Sequence, residues 1–242
     1  LKSTNNLQMY LIDLKSGLEF RNFASLPNVK VAKTIEDAVS LLKIVKAEMQ
    51  ERFDYLENAG YDKIVPSRDK KDRIIVGIDE ASVLYADARR DSEDYDLIVQ
   101  ARNLTESIAK LSRAAGIHLV IATQKVTKET IDTRIQEVID GRMCFKLNTP
   151  EGSVRVLGNA SASHLPAIRG RAIWQFGNDT FEVQAPIISN SELSEHLKVV
   201  NVQYQNGEKK LHQKMLETKE ISISDVQTSS HEMIQEDNFE GL

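Results

Sequence analysis

Arg73-Ile74-Ile75-Val76-Gly77-Ile78-Asp79-Glu80 is the stretch whose reading decides the fold. Four of its eight residues are β-branched aliphatics, and two adjacent carboxylates close it. A parallel strand buried on both faces reads as such an apolar run, and its C-terminal tip is where α/β proteins place chemistry. An Asp at that tip can hold the Mg²⁺ of a bound nucleotide, and a Glu one step on can polarise an attacking water. The string alone is equally compatible with a core strand that runs into an acidic turn.

A second segment answers the first. Ser112-Arg113-Ala114-Ala115-Gly116-Ile117-His118-Leu119-Val120-Ile121-Ala122-Thr123-Gln124 reads as a helix end, a glycine stop, a buried strand and a polar tip. Gly116 suits the position after a helix where φ turns positive. In a parallel sheet this strand delivers Thr123 and Gln124 to the edge that carries Asp79 and Glu80. A Gln there can sense a γ-phosphate or orient water.

The two strings, in this order, resemble the motor domain of the FtsK/SpoIIIE family of DNA-pumping ATPases. There a Walker-B strand ends in Asp-Glu, a helix follows, and "RAAGIHL" and "ATQ" come next. Upstream, Met9-Tyr10-Leu11-Ile12-Asp13-Leu14-Lys15 is similar to the family's "IDPK" strand, with Leu14 in place of the usual Pro. Glu48-Met49-Gln50-Glu51-Arg52-Phe53 resembles "EMERRY". Downstream, Asp140 to Leu147 resembles "IPTRIAFQV", and Leu157-Gly158 through Gly170-Arg171-Ala172 parallels the "LLGRGDML" region. The likeness spans about residues 9–185.

The resemblance implies a RecA-like P-loop NTPase core, α/β, with a mainly parallel sheet and helices on both faces, incomplete at its N-terminus. It implies ATP and Mg²⁺ as cofactors. Asp79 would hold the Mg²⁺ through water, and Glu80 would activate the hydrolytic water. Gln124 would link the γ-phosphate to the following loop, with Thr123 beside the nucleotide. Arg113 and Arg142 both match arginine-bearing positions, so each is a candidate for the arginine that completes a neighbour's site, beside the commoner role of such a residue in a surface ion pair. Lys125, Lys128 and Arg155 fall on the loops that face the pore, where they would meet DNA phosphates without reading sequence.

No G-x-x-x-x-G-K-[ST] phosphate loop occurs in the 242 residues. The cradle of backbone N–H groups and its Lys is therefore expected to precede residue 1, and this stretch by itself is expected to be inactive. A degenerate homologue that does not hydrolyse nucleotide is the rival account. The family's winged-helix module, which reads DNA sequence, is not recognisable here.

Composition bounds the rest. Apolar residues make up 41% and charged residues 28%, as in ordinary globular proteins. No apolar run approaches the length of a membrane span. The single cysteine, Cys144, lies in an apolar strand and reads as core, consistent with a cytoplasmic protein whose anchor, if any, would be an inner-membrane segment outside this stretch. A net charge of −5 argues against a non-specific DNA coat, but not against a ring motor that touches double-stranded DNA with a few pore residues.

Along the chain, strands are expected at residues 8–13 and 29–31. Thr34 should cap a helix that runs to Gly60, and residues 61–72 should form a charged turn. Ala81–Gln100 reads as an inserted mixed-charge segment, and 101–115 as a helix with Leu104, Ile108 and Leu111 inward. Helices are expected at 127–139 and 150–157, a strand at 142–147, and a terminal hairpin turning at Gly177-Asn178-Asp179. Residues 1–187 would form the motor domain and 188–242 a polar, largely disordered tail with a helix near 208–218. The function expected is an ATP-driven DNA translocase subunit of a hexameric ring, for chromosome segregation or conjugative transfer. The alternatives are a secretion ATPase that moves protein substrates and a non-catalytic interaction module.

Overall fold

The computed structural model describes residues 7–15, 17–85, 93–124 and 133–202. The chain divides into two compact units, Leu1–Leu197 and Lys198–Leu242. The first holds all of the strands described below.

Strands β1 (Leu7–Asp13), β2 (Val29–Ala32), β3 (Arg73–Asp79) and β4 (Ile117–Ile121) form one sheet in the order β2-β1-β3-β4. Every pairing in it is parallel. Alternate residues of a strand face one side, and here that side carries Tyr10, Ile12, Ile74, Val76, Ile78 and Ile117, all buried in one core. Helices α1 (Ile35–Ala59) and α4 (Tyr95–Leu111) cover it, supplying Leu42, Val45, Leu104 and Ile108. Burying each such side chain contributes about 1.5–3 kcal/mol. The other side is less covered at β4, where His118 and Val120 are exposed. β4 is an edge of this sheet, and Val120 is 57% exposed.

Local signals explain the helix ends. Thr34 accepts from the Asp37 amide at 3.2 Å to start α1, and Gly60, at φ 65°, stops it. Gly116 takes φ 70°, as its place between α4 and β4 requires. Arg52 of α1 is almost fully buried. Its Nη1 donates to the Asp72 and Ala115 carbonyls at 2.7 and 2.9 Å, and its Nε meets Glu48 at 2.7 Å. That one side chain ties the helix to the segments that enter β3 and β4.

Several expectations need correction. The charged stretch 61–72 contains a short helix, α2 (Pro66–Asp69), because Pro66 suits a first helical turn and Asp69 Oδ2 accepts from the Val65 amide at 2.7 Å. α4 begins at Tyr95, earlier than expected, and ends at Leu111, so Leu111 lies at the last turn, 53% exposed, while Leu104 and Ile108 point inward. Between β3 and α4 lies α3 (Ser82–Tyr85). Of the helix expected at 127–139, α5 (Thr133–Gln136) is seen.

A second, antiparallel sheet follows: β5 (Gly141–Phe145), β6 (Arg171–Phe176) and β7 (Asp179–Gln184), in the order β5-β6-β7. Gly177, at φ 57°, opens its hairpin turn. Cys144 and Ile173 face a small core with Leu157 of α6 (Pro150–Leu157), Ala162 and Leu165. Burial raises the Cys144 thiol pKa, as expected of a packing residue. Residues 190–202 are helical, whereas the segment expected to be helical, 208–218, lies outside the described residues. Among the described residues no helix is long and apolar enough to cross a membrane.

Candidate nucleotide-hydrolysis site

Parallel strands bring their C-terminal tips to one edge. In the β1–β3 register Asp13 pairs with Asp79, and Ile78 pairs with Ile121 of β4. Beyond Ile121 the alignment continues: the Ala122 amide donates to the Ile78 carbonyl and the Ala81 amide to the Ala122 carbonyl, both at 2.9 Å. Asp79, Glu80, Thr123 and Gln124, expected at one edge, therefore do meet there.

Glu80 is the pivot. It takes φ 48°, a conformation that a non-glycine residue adopts at a cost of about 1–2 kcal/mol. Its side chain is buried, 4% exposed. Oε1 accepts from the Ser82 hydroxyl and from Thr123 Oγ1, the latter at 3.0 Å. Oε2 accepts from the Gln124 amide at 3.2 Å and faces Lys15 Nζ at 3.7 Å. Lys15 Nζ also donates to Gln124 Oε1 at 3.4 Å.

The two adjacent carboxyls are pushed apart. Burial raises the Asp79 pKa, and the neighbouring Asp13 and Glu80 carboxylates add to the rise. Burial by itself also raises Glu80. The bonds from Ser82, Thr123 and the Gln124 amide, with the Lys15 charge, outweigh it and leave Glu80 below its ordinary value. Such a divergence separates two roles. Glu80 is held as a carboxylate, while Asp79, only half-buried and crowded by negative charge, gains most from a cation.

Asp79 suits Mg²⁺, which takes hard oxygen ligands, commonly one or two carboxylates plus the phosphates of a substrate. Among the described residues no group of three or more His, Cys, Asp or Glu is placed to hold a metal ion, so no all-protein cage competes with that mode. Asp13 is fully buried and committed elsewhere: Oδ1 accepts from the Lys15 amide at 3.2 Å and Oδ2 from the Glu19 amide at 3.1 Å.

The remaining candidates scatter. Arg113 is exposed in the turn before β4, at the opposite end of the strand from Gln124. Arg142 of β5 donates to the Gln136 carbonyl at 2.6 Å and the Val156 carbonyl at 3.1 Å, so its guanidinium clips β5 to α5 and α6. Arg155 is exposed on α6. Lys125 and Lys128 lie outside the described residues. Lys15, Ser82 and Asp13 were missed as site residues. Lys15 and Asp13 become visible only once β1 is known to lie beside β3, and Ser82 only through the turn at Glu80.

The chain shares the mixed α/β fold of P-loop ATPase motor domains. By sequence it is related to the FtsK/SpoIIIE family, whose model matches residues 1–86. The DNA translocase FtsK of Staphylococcus aureus (strain Mu50) is 24% identical over 219 residues, covering 83% of this chain and 26% of that protein. A sporulation regulatory protein of Streptomyces azureus is 30% identical over 161 residues, covering 64% of this chain and 52% of its own length. Among solved structures, the pCW3 conjugation coupling protein TcpA, in a monomer form with ATPγS, superposes with a TM-score of 0.74 at 27% identity, covering 80% of this chain and 56% of that one. The type VII secretion ATPase EccC of Thermomonospora curvata gives 0.57 at 20% identity over 79% of this chain and 24% of that one, a likeness of fold alone. The chain thus spans about a quarter of the first of these relatives and about half of the second.

Proposed function

We propose that this chain is part of an ATP-driven DNA translocase that works as a ring of identical subunits. The observation that carries the reading is the meeting of Asp79, Glu80, Thr123 and Gln124 at one sheet edge, with opposite pKa displacements on the two carboxyls. Asp79 would hold Mg²⁺, and the ATP would bring the charge that the ion neutralises. Glu80, kept ionised, would take the proton of the attacking water, and Gln124 would read the γ-phosphate. A phosphate-binding loop is needed for this and is not found in the 242 residues, so it would come from outside them.

Arg113 is the better candidate for the arginine supplied to a neighbouring subunit, since Arg142 already serves two backbone carbonyls. DNA as the substrate is favoured by the likeness to the DNA translocase FtsK and by Lys125, Lys128 and Arg155. Whether the parent moves chromosomal or conjugative DNA, and whether a membrane anchor lies elsewhere in it, are refinements of this reading. A motor for protein substrates, as in secretion, is the second reading. It is supported by likeness of fold.

Glu80→Gln in the full-length protein tests the reading. ATP binding should persist while turnover falls by about 100-fold or more, the scale of a lost general base. Hydrolysis at close to the parent rate would remove Glu80 from its role.

A further inference from the structure

A carboxylate offers about four lone-pair sites on its two oxygens. In Glu80 three donors hydrogen-bond to them, Ser82 Oγ and Thr123 Oγ1 at Oε1 and the Gln124 amide at Oε2, and the Lys15 ammonium faces Oε2 as an ion pair at 3.7 Å. The acceptor position left on Oε2 is the one that the ammonium faces. A water that is to give its proton to Oε2 therefore has to displace Lys15.

The four groups are not equally fixed. Ser82 is buried and the Gln124 amide is backbone. Lys15 has the longest contact, 3.7 Å, and its side chain is 53% exposed, so water can replace it at low cost. Its root, by contrast, is tied down, because the buried Asp13 carboxylate accepts from the backbone amides of Lys15 and Glu19. From there the ammonium reaches both Glu80 Oε2 and Gln124 Oε1. It is the one described side chain that touches both the base and the residue read as the γ-phosphate sensor.

We propose that Lys15 is a positioning residue that keeps Glu80 occupied until Gln124 moves. A Gln124 side chain drawn toward the γ-phosphate takes away one of the two partners of the ammonium. Lys15 is then held by Glu80 alone, across a 3.7 Å ion pair whose lysine end is 53% exposed, and its departure opens Oε2 to water. Hydrolysis is thereby tied to the arrival of nucleotide at Gln124. The proposal rests on Glu80 being the base.

The test is steady-state ATP turnover of the full-length protein carrying Lys15→Met, Lys15→Arg, Ser82→Ala or Glu80→Gln. Lys15→Met should raise kcat about two- to fivefold, the scale of losing one partly solvated ion pair, with KM for ATP unchanged. Lys15→Arg should keep the parent rate, because it keeps the charge. Ser82→Ala leaves the ammonium in place and should not raise kcat. If Lys15→Met leaves kcat unchanged or lowers it while Glu80→Gln is inactive, the latch is overturned and the base assignment stands. Should Lys15→Met not fold, Lys15→Gln decides by the same rule. An active Glu80→Gln overturns both.

Discussion

Thr123 Oγ1 and Glu80 Oε1 lie 3.0 Å apart across 43 residues of sequence, joined because β3 and β4 are parallel neighbours whose tips end level. Any shift of β4 along β3 would separate them. The register of two apolar strands therefore fixes the environment of the candidate base, and packing in the core becomes geometry at the edge.

The division of labour between the two carboxyls is testable through Asp79. Asp79→Asn keeps the shape and removes the charge. In the full-length protein it should weaken ATP binding about tenfold with Mg²⁺ present and leave binding in EDTA unchanged, since the lost interaction is with the ion. Titration calorimetry with and without Mg²⁺ reads both values. Equal loss in the two conditions would move the ion elsewhere.

Arg52 gives a test of the fold. Arg52→Ala would leave the Asp72 and Ala115 carbonyls without their donor and open a gap under α1. The expected destabilisation is about 3 kcal/mol or more, by urea unfolding. Arg52→Lys should recover little, because a single ammonium cannot span Glu48 and both carbonyls as the planar guanidinium does.

Asp69 should govern part of the acid limb of stability. The Arg68 hydrogen bond holds its carboxyl well below the usual carboxylate range, with help from the Val65 amide and the Tyr55 hydroxyl. Because the folded pKa is depressed, the stabilisation is present above the unfolded value, about 3.9, and is lost as pH falls from there toward the folded pKa. Asp69→Asn should lower Tm at pH 7 and flatten the fall of Tm between about pH 4 and pH 2. A parallel curve for variant and parent would mean that Asp69 is not linked to folding.

Lys125 and Lys128 test the choice of substrate. Replacing both with Ala in the full-length protein should reduce DNA-stimulated ATPase and leave the basal rate close to the parent value. Each lost phosphate contact should flatten the log–log salt dependence of DNA binding by about one unit, equally for all DNA sequences. Full stimulation with an unchanged slope would favour the protein-moving alternative.

Much of this was legible in the chain. Asp79, Glu80 and Gln124 could be placed at one edge because apolar runs ending in polar tips specify parallel strands and their direction. What was hidden is the order of those strands. Lys15 sits 65 residues before Glu80, and nothing in its local pattern says that β1 is the neighbour of β3. The helix at 190–202 was legible and overlooked. Ser189 and Glu192 form a reciprocal capping box, in which the Glu192 amide donates to Ser189 Oγ at 3.2 Å and the Ser189 amide donates to Glu192 Oε2 at 2.8 Å. The polar composition of the segment masks that start signal.

The bare flank of β4 has a consequence for handling the molecule. Among the described residues β4 has a strand partner on one side only, and with Val120 57% exposed it is a template for any extended peptide, including another copy of itself. Prepared as these 242 residues alone, the protein should lengthen its sheet intermolecularly as concentration rises, giving light-scattering masses that climb without settling at one stoichiometry. Its colloidal behaviour would then report on an unshielded ribbon edge and say nothing about the size of a working ring.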